Sequence, residues 1–347
     1  MVDQQYFQMA VNAARQGADT WTNPQVGAVL VKHDQVLAVG YHHQYGERHA
    51  EVDALSKLPE IGQAKGATMY VTLEPCSHYG KTPPCAKRLV EVGISRVIIG
   101  QLDPNPKVSG RGVAILEQNG ISVTVLESTG GLNQAYNYFY RNGRPWITMK
   151  YAMSLDGKIN GVSGQRTQLT HSIAQADVQQ LRQHQQAILV GERTLTVDDP
   201  QLTVRSRQMV FPPIRIAVVH DVNQLSTALH LFDQEAPTWL FSEVANQKVV
   251  PKTVKVIVQP KWTPAKIVAY LAEQGIQSLL VEGGSRIQAA FIAAELVDEL
   301  IVYLSPQVLG GQGLPAAVGL PLTDQMAFAT PTITALGQDV RLRARRL

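Results

Sequence analysis

Residues 70–85 read YVTLEPCSHYGKTPPC, and this stretch decides how the first part of the chain folds. Residues 67–73 (ATMYVTL) predict a buried strand, which is followed by a loop rich in glycine and proline. The pattern then predicts a helix over residues 84–92 that ends at Gly93. Cys76 and Cys85, the only two cysteines of the chain, therefore lie just after a strand and at the start of a helix. Upstream, residues 49–51 are His-Ala-Glu, at the start of another predicted helix.

These residues have the composition of a catalytic zinc site. His49, Cys76 and Cys85 supply one imidazole and two thiolates, which leaves a fourth zinc position open. Zinc lowers the pKa of a water bound in that position to about 7. Glu51 lies two residues beyond His49, about 200° around the helix, where its carboxylate can carry that water's proton to a ring nitrogen and a departing amine. H-x-E followed by Pro-Cys is typical of the zinc deaminases, in which the glutamate is the general acid/base.

The spacing of the two cysteines differs from the general deaminase pattern P-C-x-x-C. Eight residues, SHYGKTPP, separate Cys76 from Cys85, and their glycine and prolines allow a loop that leaves and returns. Two alternatives stay open at this point. The three candidate ligands are ordinary packing residues, or His78 supplies a fourth ligand and the zinc is structural.

Length and composition predict two globular domains. A chain of 347 residues exceeds the roughly 250–300 residues that one core usually serves. Apolar residues make up 45% and charged residues 17%, which argues against disorder. Residues 132–145 (LNQAYNYFYRNGRP) end in a loop signal, so we place the boundary near residues 140–146 and predict domains 1–145 and 146–347.

Charge and hydropathy exclude several classes of partner. The net charge of +3 and the absence of a long basic run argue against nucleic-acid binding. The arginines of residues 341–346 alternate with Leu342 and Ala344, which predicts a strand with one solvated face. No stretch approaches the roughly 18 apolar residues needed to cross a membrane. Residues 2–15 predict an amphipathic helix instead of a leader, and two cysteines suit a reducing cytoplasm.

The order of predicted elements indicates an α/β protein. In the first part, strands over residues 26–32, 36–41, 67–73, 96–100 and 121–126 alternate with helices over 50–58, 84–92 and 111–118, which implies a largely parallel sheet. In the second part, we predict strands over residues 146–152, 187–191, 214–219, 254–259, 278–281 and 300–304. The predicted helices there cover residues 172–185, 264–274 and 285–296.

The first part resembles the bifunctional riboflavin biosynthesis proteins, in which a pyrimidine deaminase is fused to a pyrimidine reductase. The matching stretches are residues 23–29 (NPQVGAV), 49–54 (HAEVDA), 70–85, 103–106 (DPNP) and 110–112 (GRG), and the long insert between the cysteines is itself a feature of the family. The resemblance implies a cytidine-deaminase-like domain that acts on 2,5-diamino-6-ribosylamino-4(3H)-pyrimidinone 5′-phosphate. By motif position, Asn23, His42 and Lys81 would contact this substrate.

The second part is similar to the reductase half of that family, which implies a dihydrofolate-reductase-like fold and hydride transfer from NADPH to the ribosyl chain. The stretches that carry it are residues 154–158 (SLDGK), 198–200 (DDP), 202–205 (LTVR) and 281–284 (VEGG). By position, the implied substrate contacts are Lys150, Arg166, Arg182, Leu202, Arg205 and Glu282. The implied cofactor contacts are Ser154, Gln168, Thr194, Asp198, Asp221, Gly283, Gly284 and Ser285.

The second part also departs from the family's pattern. Arg166 and Gln168 replace a usual Ser and Trp, and His220-Asp221 replaces a usual Asp-Ser. One alternative is therefore an active deaminase whose second domain only binds or oligomerises, and another is a nucleic-acid deaminase. The leading interpretation is a two-step enzyme that uses Zn²⁺ and NADPH. It acts on a small phosphorylated pyrimidine, has no nucleic-acid or membrane partner, and by family resemblance forms a homo-oligomer.

Overall fold

The computed structural model describes residues 2–77, 83–162, 164–319 and 325–347. Its chain divides into two compact units, Met1–Gly143 and Arg144–Leu347. None of the helices in these described ranges is long and apolar enough to cross a membrane.

The first unit is a five-stranded sheet with helices on both faces, in the strand order β2-β1-β3-β4-β5. Its strands are β1 (Gly27–Lys32), β2 (Gln35–Tyr41), β3 (Thr68–Leu73), β4 (Arg96–Gln101) and β5 (Ser122–Val125). Its helices are α1 (Val2–Ala14), α2 (Ala50–Ser56), α3 (Cys85–Glu91), α4 (Arg111–Gln118) and α5 (Gln134–Asn142).

Only half of the pairings in this sheet are parallel, fewer than the sequence pattern predicts. β3, β4 and β5 are parallel, whereas β1 pairs antiparallel with both β2 and β3. The reason is the short connection after β1. His33 and Asp34 form its tip with φ values of 49° and 58°, and two left-handed residues suit the twist of a tight hairpin. A parallel neighbour would need a crossover of a dozen or more residues.

Alternate residues of each strand build two separate cores. On β1, Ala28 and Leu30 pack in the cluster that contains residues of α2, α3 and α4. Val29 and Val31 pack instead with Tyr6 and other residues of α1. A strand with apolar residues on both faces needs a layer on each side, and this explains its continuous apolar sequence.

The second unit is a nine-stranded sheet in the order β10-β9-β8-β7-β11-β6-β12-β14-β13. The first seven strands in this order are parallel, and β14 and β13 add antiparallel at one edge. The strands are β6 (Trp146–Ser154), β7 (Ala187–Gly191), β8 (Ile214–Val219), β9 (Thr238–Ser242), β10 (Val254–Val258), β11 (Ser278–Gly283), β12 (Glu299–Ser305), β13 (Thr332–Leu336) and β14 (Asp339–Arg345). The helices are α6 (Ser172–Gln183), α7 (Glu192–Asp198), α8 (Pro264–Glu273) and α9 (Ser285–Ala293).

Four elements are absent from the sequence prediction: α5, α7, β9 and β13. The Asn-Gly signal at residues 142–143, interpreted as a loop, marks the end of α5, where Gly143 has φ 68°. The alternating C-terminal arginines do form a strand, β14, as predicted.

Candidate active sites

Three elements of the first unit bring the predicted zinc ligands together. His49 is the residue before α2, Cys76 follows β3, and Cys85 is the first residue of α3. Nδ1 of His49 lies 3.4 Å from the sulfur of Cys76 and 3.4 Å from that of Cys85. Gly40 on β2 allows α2, the helix that follows His49, to pack closely on the sheet. A Cβ at Gly40 would come within 2.4 Å of the carbonyl oxygen of Ala50 in α2.

This arrangement fits a tetrahedral zinc ion. Bonds of about 2.3 Å to sulfur and about 2.0 Å to nitrogen separate the two ligand atoms by about 3.5 Å. The three candidate ligand atoms all lie within 4.8 Å of one another. The backbone N–H of Cys85 donates to the sulfur of Cys76 at 3.3 Å. The Cys85 thiol and His49 lower the pKa of Cys76 well below its usual range, which favours the thiolate form of this candidate ligand.

Glu51 lies inside the same site. It is 3% exposed, and its carboxyl hydrogen-bonds the thiol of Cys85. Burial raises the pKa of Glu51 to about 7, against the opposing effect of His49. A carboxyl with a pKa near neutrality can both take and return a proton at working pH, which is what a general acid/base must do.

Asn23 and His42 form a hydrogen-bonded pair beside the candidate zinc ligands. The rings of His42 and His49 have centroids 5.7 Å apart. The carbonyl of Arg48 can only accept, so Nδ1 of His42 carries the proton and donates to it at 2.9 Å. Nε2 of His42 then accepts from the amide of Asn23 at 3.1 Å, and burial lowers the pKa of His42, which favours this neutral ring. His42 thereby fixes the orientation of the Asn23 amide.

Two other residues of the sequence analysis cannot be placed. Lys81, predicted to contact substrate, and His78, the alternative fourth zinc ligand, both lie outside the described residues.

Glu74 is a residue of this site that the sequence analysis missed. It is 4% exposed, and its carboxylate accepts the backbone N–H groups of residues 103, 110, 112 and 113 at 2.9–3.3 Å. It thereby holds the start of α4 against Pro75, the residue before Cys76. The available signal was its place at the end of a buried strand, because a carboxylate buried there needs several donors.

In the second unit, one open cavity of about 270 Å³ gathers most of the predicted contacts. It lies beyond the carboxyl end of β11, where parallel α/β sheets usually bind their ligands. The predicted residues that line it are Lys150, Arg166, Gln168, Thr194, Asp198, Glu282, Gly283, Gly284 and Ser285.

Glu282 and Lys150 line one wall of this cavity, and Arg182 forms an ion pair with Glu282 behind it. Arg182 on α6 donates twice to the Glu282 carboxylate, at 2.6 and 2.7 Å, and the Lys150 ammonium lies 4.0 Å from the same group. Burial alone would raise the pKa of Glu282, but Arg182 and Lys150 lower it to about 2. Arg205 lies on a separate cavity of about 720 Å³, where its guanidinium donates to Gln201 at 3.1 Å.

A second cavity, of about 480 Å³, adjoins the first at the start of α9. Thr194, Gly284 and Ser285 line both cavities. Gly284 has φ 93°, and a Cβ there would come within 3.2 Å of the Thr194 hydroxyl. Glycine therefore allows the chain to pass close to α7 just before the first N–H groups of α9, which suit a phosphate.

Five predicted residues line neither of these two cavities: Arg182, which reaches the first through Glu282, Arg205 on its separate cavity, and Leu202, Ser154 and Asp221. The Leu202 side chain is 2% exposed and belongs to the apolar core. Ser154 is fully buried, and its hydroxyl donates to Asp156 at 2.5 Å. Asp221 accepts the N–H of Asn223 at 2.9 Å in the turn after β8.

In comparisons with known proteins, the two halves of the chain match two different family models, in the order that the sequence predicts. Residues 1–101 match the family model of the cytidine and deoxycytidylate deaminase zinc-binding region. Residues 145–342 match the model of the RibD C-terminal domain. The riboflavin biosynthesis protein RibD of Bacillus amyloliquefaciens is 38% identical, over 99% of this chain and 96% of its own length. The chain belongs to the RibD family.

Other RibD proteins agree over the full length. RibD of Escherichia coli K12 is 38% identical over 99% of both chains. The crystal structure of Acinetobacter baumannii RibD has a TM-score of 0.90 at 33% identity, covering 100% of this chain and 99% of its own. A Thermotoga maritima diaminohydroxyphosphoribosylaminopyrimidine deaminase/5-amino-6-(5-phosphoribosylamino)uracil reductase has a TM-score of 0.89 at 30% identity with the same coverage.

Membership of the RibD family confirms the predicted fold class and activities. The chain is a riboflavin biosynthesis enzyme in which a cytidine-deaminase-like zinc domain precedes a reductase domain. Zn²⁺ and NADPH are the cofactors that this family implies, and His49, Cys76 and Cys85 form a group suited to the metal. Neither alternative, a nucleic-acid deaminase or a second domain without reductase function, finds support in these comparisons.

Proposed function

We propose that residues 1–145 deaminate 2,5-diamino-6-ribosylamino-4(3H)-pyrimidinone 5′-phosphate and that residues 146–347 reduce the ribosyl chain of the product to ribityl with NADPH. The observation that carries the deaminase part is the position of Glu51, a buried carboxyl two residues from His49 in the site that gathers His49, Cys76 and Cys85. Zinc in this site supplies an activated water. Glu51 is placed to move two protons from the oxygen of that water, the first to the ring nitrogen as the oxygen adds and the second to the amine as it departs.

The remaining residues of the first unit bind and orient the pyrimidine. The Asn23 amide, held by His42, offers a donor and an acceptor to a ring or ribosyl edge. Lys81 is proposed to meet the phosphate as a point charge.

In the second unit, we propose that the ion-paired wall of the cavity binds the deaminated pyrimidine. Lys150, Arg166, Arg182, Leu202, Arg205 and Glu282 are its proposed contacts, with Leu202 restricted to its backbone because its side chain is in the core. The proposed nucleotide contacts are Gln168, Thr194, Asp198, Gly283, Gly284 and Ser285, which line the two adjoining cavities, whereas Ser154 and Asp221, the other two expected contacts, lie away from them. The family resemblance further supports a homo-oligomer in the cytoplasm.

The substitution Glu51→Gln tests this proposal. We expect zinc content by elemental analysis to stay unchanged, because the ligands are untouched, and deamination to fall about 100-fold or more. Reduction of the separately prepared deaminated intermediate, followed by NADPH absorbance, should stay at the wild-type rate. The matched control is Glu60→Gln, an exposed glutamate of the same unit.

Near-wild-type deamination by Glu51→Gln would show that the proton is carried by another group. A wild-type protein that holds zinc but leaves this pyrimidine unchanged would disprove the proposed substrate. Absence of NADPH oxidation with the deaminated intermediate would disprove the reductase part.

A further inference from the structure

The motif SLDGK at residues 154–158 faces a second segment, residues 309–314, that the sequence analysis did not use. The Asp156 carboxylate accepts the backbone N–H groups of Leu309 at 3.0 Å and Gly310 at 2.8 Å. It also accepts the Ser154 hydroxyl at 2.5 Å, so the carboxylate itself is held in place. Two of these three hydrogen bonds join the two segments, and together the three contacts lower the pKa of Asp156 well below its usual range.

Lys158 holds the same loop through its carbonyl groups. Its ammonium donates to the carbonyl oxygens of Gly310 and Gly311, the latter at 2.6 Å, and lies 3.6 Å from Asp156. Gly310 and Gly311 have φ values of 62° and 57°, a conformation that glycine adopts without the strain of a side chain. The loop therefore directs N–H groups toward the Asp156 carboxylate and carbonyl groups toward the Lys158 ammonium.

Asn160 and Ile159 continue the attachment toward the cavity. The Asn160 side-chain oxygen accepts the N–H of Leu314 at 2.8 Å, and the N–H of Ile159 donates to the Leu314 carbonyl at 2.8 Å. A Cβ at Gly313 would come within 2.2 Å of the Asn160 carbonyl oxygen, so the two segments are in direct backbone contact.

The attached loop forms part of both cavities that contain the proposed nucleotide contacts Thr194, Gly284 and Ser285. Leu314 lines the cavities of about 270 and 480 Å³, and Ile159 and Asn160 line the first. The next residue, Pro315, accepts the hydroxyl of Ser285 at 2.7 Å. Ser285 is the first residue of α9, so the loop also touches the helix start assigned to the nucleotide.

We propose that Asp156, Lys158 and Asn160 are positioning residues that preorganise residues 309–315 as a wall of the NADPH cavity. They act through the loop and not by contact with the pyrimidine. This inference rests on the proposed function of the second unit, because it takes the two adjoining cavities as the cofactor site.

The effect of breaking this attachment follows from the cost of ordering a loop. Asp156→Asn replaces one carboxylate oxygen by an amide that cannot accept, and Lys158→Met removes the cation from the two glycine carbonyls. NADPH then has to order the loop as it binds, which weakens binding by about tenfold for one charged hydrogen-bond group.

The experiment measures NADPH dissociation constants by calorimetry on the full-length wild-type protein, Asp156→Asn, Lys158→Met and the double variant. We expect each single variant to bind about tenfold more weakly and the double variant to lose less than the product of the two, since both residues hold one loop. In turnover assays, KM for NADPH should rise while kcat and KM for the pyrimidine change little. Glu273→Gln, an exposed glutamate on α8, is the matched control, and deamination is the internal control of each variant.

Each outcome decides a different point. If wild-type protein does not bind NADPH, the proposed function of the second unit fails. If wild-type protein binds NADPH and the variants bind it equally well, the positioning role is wrong. A variant that lowers kcat and raises both KM values together has a general structural defect, which also contradicts the proposal.

Discussion

Glu282 is a buried carboxylate whose charge depends on Arg182. The side chain of Glu282 is 6% exposed and that of Arg182 is 11% exposed. Because the pKa of Glu282 is lowered from 4.5 to about 2, its ionised form stabilises the second unit. This contribution is complete above the unfolded value of 4.5 and is lost as the pH falls through about 2.

Replacing Arg182 by Met should make the ionised form of Glu282 destabilise the second unit instead of stabilising it. Burial would then raise the pKa of Glu282 with only Lys150 and Arg205 opposing it. A buried charge without its main partner costs about 3–5 kcal/mol at pH 7. Protonation relieves that cost, so the stability gap between variant and wild type should narrow from pH 7 to pH 4. Urea unfolding followed by tryptophan fluorescence at both pH values measures it.

Arg346→Met is the matched control, because it removes an arginine from an exposed ion pair instead of a buried one. Its partner Glu295 is 67% exposed, and exposed pairs contribute about 0–1 kcal/mol. A gap for Arg182→Met that stays constant between the two pH values would mean that Glu282 does not carry the effect.

Site residues that belong to a local sequence motif were predictable, whereas site residues defined by contacts between segments distant in sequence were not. His49, Cys76 and Cys85 could be predicted because each lies next to, or at the start of, a strand or helix that the local sequence predicts. Glu74 was missed because its four donors come from residues 103–113, and no local pattern reveals which loop will return to it.

Helix α4 contacts Pro75, the residue before the proposed zinc ligand Cys76, at a point where only glycine fits. Gly112 lies in the first turn of α4, and a Cβ there would come within 2.1 Å of the Pro75 carbonyl oxygen. Gly112 also donates its N–H to Glu74 at 2.9 Å. Because backbone meets backbone at this point, no side chain can move aside to make room.

Gly112→Ala should therefore displace α4 from Pro75 and disturb the zinc site. We expect lower zinc content and a lower rate of deamination, with NADPH-dependent reduction unchanged. Elemental analysis and the two separate assays check this. Glu117→Gln, an exposed substitution on the same helix, should change none of these quantities, and normal zinc content in Gly112→Ala would contradict the positioning role of α4.

Of the elements that the sequence failed to predict, α7 and β9 are short, β13 has an exposed pattern, and α5 was interpreted as a loop because of its Asn-Gly end. α7 has only seven residues and β9 only five. β13 is the edge strand of its sheet, and most of its residues are exposed, so it has no apolar face to reveal it. The long parallel strands and the capped helix α8, with Thr263 and Pro264 at its start, were predictable from local signals alone.

At the scale of the whole molecule, the two chemistries belong to different units. All three metal ligands lie in Met1–Gly143, and the two cavities adjoining α9 lie in Arg144–Leu347. The metal should therefore be required for one reaction and dispensable for the other.

Removal of zinc with dipicolinate tests this separation on the intact protein. We expect deamination to be lost, while reduction of the separately prepared intermediate stays within about twofold of the untreated rate, as expected when the two reactions use separate sites. Added Zn²⁺ should restore deamination, whereas Mg²⁺ should not, because a site of one imidazole and two thiolates does not suit a hard cation. Loss of both activities on chelation, with both restored by Zn²⁺, would show that the metal also supports the reductase unit.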